Sequence, residues 1–201
     1  MLSDNPAVAK VLEKSGFKEL NPVQKETLEK GLLDKGNMVV AAPTASGKTL
    51  IAEIAALDAI KQNKKVIYIV PLKALASEKY HEFKEKYGPL GIKIAISIGD
   101  MDSSDPWLAD YDLVIATSEK LDSLLRHGIP WAGSIGLVVA DEIHLLNDPG
   151  RGPTLEIVLT RLRQIANPKI LALSATINNY GEMSDWLEAK SVWSDYRPID
   201  L

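Results

Sequence analysis

Six short runs dominated by Val, Ile, Leu and Ala constrain what this 201-residue chain can fold into: "NMVVA" (37–41), "KVIYIVP" (65–71), "IKIAISIG" (92–99), "DLVIAT" (112–117), "IGLVVAD" (135–141) and "KILALSAT" (169–176). A strand with one face in water alternates apolar and polar residues, and these runs do not, so both faces are buried, as in a parallel sheet. Between most of them lie segments whose Leu, Ile and Ala recur every three or four residues, the spacing of a helix with one buried face: "KTLIAEIAALDAIKQ", "KALASEKYHEFKEKYG", "SEKLDSLLRHG" and "PTLEIVLTRLRQIA". Alternating strands and helices predict a doubly wound α/β domain, mainly parallel, with helices on both faces of the sheet. Residues 1–201 read as one such domain, with a helical segment over 1–36. The C-terminal "SVWSDYRPIDL" adds an edge strand followed by an extended, Pro-containing stretch from 195, which is expected to begin a linker.

In a sheet of this kind ligands gather at the carboxyl ends of the strands. The first apolar run leads directly into "APTASGKT" (42–49). This matches the phosphate-loop pattern G-x-x-x-x-G-K followed by Ser or Thr, except that Ala42 replaces the first glycine. An alanine is tolerated there when its φ stays negative. In such a loop the amides of Thr44, Ala45, Ser46, Gly47, Lys48 and Thr49 face the phosphates of ATP, the Lys48 ammonium reaches the β and γ phosphates, and the Thr49 hydroxyl serves Mg²⁺. A metal-dependent nucleotide enzyme also needs an acid at the end of a neighbouring buried strand. "LVVADEIH" supplies Asp141 for the metal and Glu142 for the attacking water. Alone, an acidic pair after a strand is a common helix cap; together with the phosphate loop it forms two parts of one mechanism.

Composition narrows the partners. With 27 Asp and Glu against 23 Lys and Arg, a net charge of −4 argues against an extensive basic nucleic-acid surface and leaves room for a narrow track. The absence of cysteine excludes disulfides and thiolate metal sites, and the three histidines lack zinc spacing. No apolar stretch reaches the length of a membrane span, so the expectation is a soluble, cytoplasmic and monomeric protein.

The order "APTASGKT", "DEIH" (141–144), "SAT" (174–176) resembles the DExH-box helicases of superfamily 2. "GFKELNPVQ" is similar to that family's adenine-recognition segment, "PLKALASEKY" and "TSEKLDSLLR" to its motifs that touch single strands, and "SIGD" to the Gly-Asp motif of the superkiller-like branch. Within the branch the chain is most similar to archaeal 3′–5′ DNA repair helicases related to the helicase part of DNA polymerase theta, and it carries the motifs of the first of their two RecA-like domains. The resemblance implies that Gln24 reads adenine, with Leu20 and Phe17 packed nearby. It implies that His144, Ser174 and Thr176 couple the γ-phosphate site to the nucleic-acid face, and that Pro71, Lys73, Gly99, Asp100, Thr117 and Ser118 hold the sugar-phosphate backbone of single-stranded or forked DNA. Taken alone, Gln24 is a polar helix-start residue and Ser118 a helix N-cap. The arginines that speed ATP hydrolysis in that family lie on the second RecA-like domain, so this chain is expected to bind ATP or ADP with Mg²⁺ and turn it over slowly or not at all.

Other readings use the same loop. A small phosphate-loop kinase would add an Arg-rich lid, but residues 99–118 contain no arginine. A non-hydrolysing ATP switch or scaffold, and an RNA helicase of the same superfamily, are the remaining alternatives.

Overall fold

The computed structural model describes residues 5–99, 105–175 and 179–197. Helices α1 (Pro6–Ser15) and α2 (Pro22–Glu29) precede β1 (Asn37–Ala41). The chain then alternates through α3 (Lys48–Lys61), β2 (Lys65–Val70), α4 (Lys73–Tyr87), β3 (Ile94–Ser97), β4 (Leu113–Thr117), α5 (Ser118–His127), β5 (Ile135–Ala140), α6 (Gly152–Ile165), β6 (Lys169–Ser174), α7 (Tyr180–Leu187) and β7 (Ala189–Trp193). The strands form one seven-stranded sheet in the order β3-β4-β2-β5-β6-β1-β7, and every pairing is parallel.

Neighbouring residues along each strand enter opposite cores, which is why the runs carry no polar alternation. Val66, Tyr68 and Val70 of β2, with Leu137 and Val139 of β5, pack under α1 to α4. Ile67 and Ile69, with Val138 and Ala140, pack under α5 to α7. Helix α3 is itself apolar on most of its circumference, burying Leu50 to Ala56, because it lies between the sheet and α1 and α2. Among the described residues no helix is long and apolar enough to cross a membrane.

All six apolar runs contain a strand; the first, 37–41, is β1 over its whole length, and the second to fifth lose a residue or two at one or both ends. The edge strand starts at Ala189, earlier than expected, and runs parallel beside β1. Helix α7, "YGEMSDWL", is additional to the expected helices. Trp131 is a core residue, whereas Trp107 packs edge-on against Tyr111 with ring centroids 5.5 Å apart.

Candidate functional site

Because every strand points the same way, all their carboxyl ends lie along one edge of the sheet. Read across it, the chain places Gly99 beyond β3, Thr117 and Ser118 at β4, Pro71 after β2, Asp141 and Glu142 after β5, Ser174 at the end of β6 and the phosphate loop after β1. The edge is thereby divided. The backbone-holding candidates occupy the β3-β4-β2 half and the nucleotide candidates the β5-β6-β1 half. Asp100 and Thr176 lie outside the described residues.

Two left-handed residues shape the loop after Ala41: Ala45 with φ 65° and Gly47 with φ 84°. Gly47 immediately precedes α3, so the free amides of the first helical turn open toward the loop. A side chain at Gly47 would have to push the loop's clamp aside, since a Cβ there would lie 2.5 Å from Gln24 Nε2 and 3.0 Å from Asn21 Nδ2. Lys48 Nζ donates to the carbonyl oxygens of Ala42 and Pro43 at 2.6 and 2.8 Å. Burial lowers its pKa, partly offset by Glu142 and Asp141. Ser46 is fully buried, and its Oγ has no hydrogen-bond partner among the described residues.

The loop is clamped from α2. Asn21 and Gln24 form a reciprocal capping box, Asn21 Oδ1 accepting from Gln24 N at 3.0 Å and Gln24 Oε1 accepting from Asn21 N at 2.9 Å. Their remaining amide donors reach the loop, Asn21 Nδ2 to Ser46 O at 2.8 Å and Gln24 Nε2 to Gly47 O at 3.2 Å. Gln24 is therefore placed at the phosphate loop, with its amide oxygen and one of its two N–H donors held by protein groups. Leu20 is a core residue, while Phe17 is 60% exposed.

Across β6, Asp141 Oδ1 accepts from its neighbour's amide, Glu142 N, at 3.0 Å, and its Oδ2 accepts from the hydroxyl of Tyr68 at 3.0 Å. Glu142 sits in the left-handed region, φ 54° and ψ 42°. His144 Nδ1 lies 3.3 Å from Glu142 Oε2 without hydrogen-bond geometry. Thr44, Ala45, Gly47, Lys48 and Thr49 line one cavity of about 330 Å³ with Asp141, Glu142, Glu78 and Lys79. This joins the two expected halves of the chemistry. A larger cavity, about 580 Å³, lies around the amino ends of the strands, lined by Asn37, Lys64 and Lys169 among others, and contains none of the expected site residues.

On the other half, Pro71 and Ser118 meet in a small crevice that also touches Asp141, Glu142 and Arg151. Lys73 is exposed at the start of α4. The N-cap of α5 is Thr117, one residue before the expected Ser118, and Thr117 Oγ1 accepts from Lys120 N at 3.4 Å. Both residues are buried, and the Thr117 oxygen that caps the helix as an acceptor keeps its own O–H as a donor. Ser174 is fully buried, with its Oγ unpaired among the described residues and its carbonyl accepting from Ala42 N at 3.2 Å. It thus links β6 to the loop's first residue.

Three contributors escape the motif reading: Asn21, Tyr68 and Lys79. For Asn21 a signal existed, because Asn-x-x-Gln before an apolar helix face is a capping-box pattern. Tyr68 reads as an ordinary strand aromatic, and Lys79 as one of several lysines along an amphipathic helix.

The profile of the DEAD/DEAH box helicase family matches residues 21–183, the span from the clamp on the loop to α7. The chain belongs to that family. The ATP-dependent DNA helicase Hel308 of Methanocaldococcus jannaschii is 53% identical over 201 residues, 96% of this chain and 17% of the relative. The protein of the same name from Pyrococcus abyssi is 49% identical over 201 residues, 100% of this chain and 28% of the relative. The crystal structure of the DUF1998 helicase MrfA superposes with a TM-score of 0.77 at 28% identity, over 95% of this chain and 32% of that one. The helicase fold here is RecA-like. The chain spans less than a third of the length of each of these three proteins.

Proposed function

We propose that this chain is the N-terminal ATP-binding motor domain of an ATP-dependent DNA helicase, which in the full-length protein couples ATP hydrolysis to translocation on single-stranded or forked DNA. The observation that carries the proposal is the cavity of about 330 Å³ in which the phosphate loop meets Asp141 and Glu142. The names of the Hel308 relatives favour DNA over RNA.

In this reading the loop amides and Lys48 bind the phosphates of ATP. Lys48 Nζ, which now donates to Ala42 O and Pro43 O, exchanges those carbonyls for phosphate oxygens. The donor set for an accompanying ion is all oxygen, Thr49 hydroxyl and Asp141 carboxylate, which suits Mg²⁺. When bound, Mg²⁺ neutralises charge on the phosphates. Glu142 then orients a water or accepts its proton, Tyr68 holds Asp141, and Gln24 stands where the adenine end reaches the loop. Pro71, Lys73, Gly99 and Ser118 lie along the half of the edge assigned to the DNA backbone, while His144 and Ser174 lie on the half assigned to nucleotide. Fast turnover requires the arginines of a second RecA-like domain, worth about 10³ to 10⁵ in rate when such a cation completes a site.

Calorimetric titration with Mg-ATP and Mg-ADP, beside Lys48→Ala, tests the proposal, together with ATPase assays with and without single-stranded DNA. The expected result is binding that disappears in the variant, with negligible turnover by this chain. Failure of the wild type to bind would remove the nucleotide reading. Rapid turnover independent of DNA would instead place the chain among other phosphate-loop enzymes.

A further inference from the structure

Lys79 is a second ammonium in the phosphate cavity, and it comes from the nucleic-acid half of the molecule. Its helix, α4, starts directly after Pro71 and Leu72, packs on β3, β4 and β2, and carries Lys73 at its first residue. From there Lys79 reaches across to α3, the helix of the phosphate loop, and donates to Thr49 Oγ1 at 3.3 Å. The lysine is largely buried, and its other partner is Glu82 on its own helix, Oε2 at 3.0 Å. It also lines the cavity with Asp141 and Glu142.

The Thr49 hydroxyl is the atom that the proposed nucleotide reading gives to Mg²⁺, and the inference rests on that reading. An ammonium hydrogen-bonded to this oxygen places a positive charge within a few ångströms of where the divalent ion would bind. Two cations so close repel each other, and they compete for lone pairs of one oxygen. Glu82 offers Lys79 an alternative already within reach.

We propose that Lys79 is a positioning residue that holds the Thr49 hydroxyl before the metal–nucleotide complex arrives, and must be displaced toward Glu82 when Mg²⁺ binds. Occupation of the metal site thereby shifts a side chain of α4, the helix whose first turn lies beside the backbone-holding residues. Such a contact gives the nucleotide half a physical means of biasing the nucleic-acid half.

The test is the Mg²⁺ dependence of binding of a fluorescent ADP derivative, titrated with MgCl₂ from an EDTA-treated start, with thermal unfolding recorded for each variant. Lys79→Ala is expected to lower the Mg²⁺ concentration at half-saturation about tenfold, the scale on which neighbouring charges interact through a partly aqueous medium. Its binding of the metal-free nucleotide should weaken, because one cation has left the cavity. Glu82→Gln removes the alternative partner and should raise the Mg²⁺ requirement, while Lys79→Arg should stay near wild type. An unchanged or increased Mg²⁺ requirement in Lys79→Ala, with nucleotide still bound by the wild type, would overturn the role of Lys79 alone, whatever happens to the unfolding temperature. Absence of binding in the wild type would overturn both this role and the nucleotide reading.

Discussion

Tyr68 donates its hydroxyl to Oδ2 of Asp141 at 3.0 Å, from β2 to the acid that follows the neighbouring strand β5. The ring is completely buried and packs edge-on against Phe83, centroids 5.5 Å apart. Burial first, and then the neighbouring Asp141 carboxylate, push the phenol pKa well up, so the hydroxyl keeps its proton and remains a donor. Asp141 is thus held in one rotamer by a group that cannot titrate at ordinary pH.

Tyr68→Phe removes that donor and leaves the core volume nearly unchanged. Asp141 is only half-buried, so water can replace part of what is lost, and the stability cost should be near the lower end for a deleted hydrogen-bond partner, about 1 kcal/mol. A urea denaturation curve measures it. The larger effect is expected on metal-dependent nucleotide affinity, which should weaken severalfold as Asp141 gains rotamer freedom; unchanged affinity would mean that Asp141 needs no such holding.

Gly47→Ala tests the clamp on the phosphate loop. The variant meets a left-handed φ of 84° and two amide nitrogens, one only 2.5 Å from the new Cβ. The backbone conformation alone costs about 1–2 kcal/mol. The clash would also displace Gln24 and Asn21, breaking the hydrogen bonds that hold Ser46 and Gly47 carbonyls. Nucleotide binding by calorimetry should be lost before the fold is, with far-ultraviolet circular dichroism unchanged at room temperature.

The strands were legible because burial on both faces leaves an unbroken apolar run, and the phosphate loop because its amides, Lys48 and Thr49 have to follow one another in the chain. Other features depend on contacts that sequence order conceals. Tyr68 and Asp141 are separated by 73 positions, and nothing about a tyrosine in a strand announces its partner. Lys79 looks like a solvated helix residue until α4 is laid against α3. Thr117 displaces Ser118 as the cap because β4 runs into α5 without a loop, and two adjacent hydroxyl residues leave the boundary ambiguous by one position. Helix α7 has Gly181, Ser184 and Asp185 within its eight residues, poor helix formers whose conformation is set by Met183 and Leu187 packing into the core.

Lys169 makes stability depend on alkaline pH. Its Nζ donates to the carbonyls of Leu32 and Asp34, the latter at 2.7 Å, and burial lowers its pKa to about 8, partly opposed by Asp34 and Asp58. The unfolded chain, with an ordinary lysine pKa near 10.4, binds the proton more tightly than the native state. This destabilising contribution is fully present below about pH 8 and is relieved as pH rises from there toward the unfolded value, with a slope no steeper than about 1.4 kcal/mol per pH unit. The difference in unfolding free energy between wild type and Lys169→Met, measured by urea denaturation from pH 7 to 10, should therefore move in favour of the wild type. A flat difference would show that Lys169 titrates as an exposed lysine does.

Glu53 bears on how firmly the phosphate helix is placed. It is 2% exposed in the middle of α3, and its carboxylate accepts from Lys86 Nζ at 2.9 Å and from Tyr87 Oη at 2.6 Å, both on α4. Glu82 lies between the two α4 lysines, 3.0 Å from Lys79 and 3.5 Å from Lys86, so the α3–α4 seam is a continuous row of alternating charge. Glu53→Leu removes the shared acceptor and leaves the Tyr87 hydroxyl and a partly buried ammonium without it. Breaking a buried pair from one side costs about 3–5 kcal/mol, and partial access of Lys86 to water places this case at the lower end. Lys86→Met should cost less when combined with Glu53→Leu than alone, because no unpaired charge then remains. Four denaturation curves complete that cycle, and strictly additive losses would mean that the two charges do not sense each other across the seam.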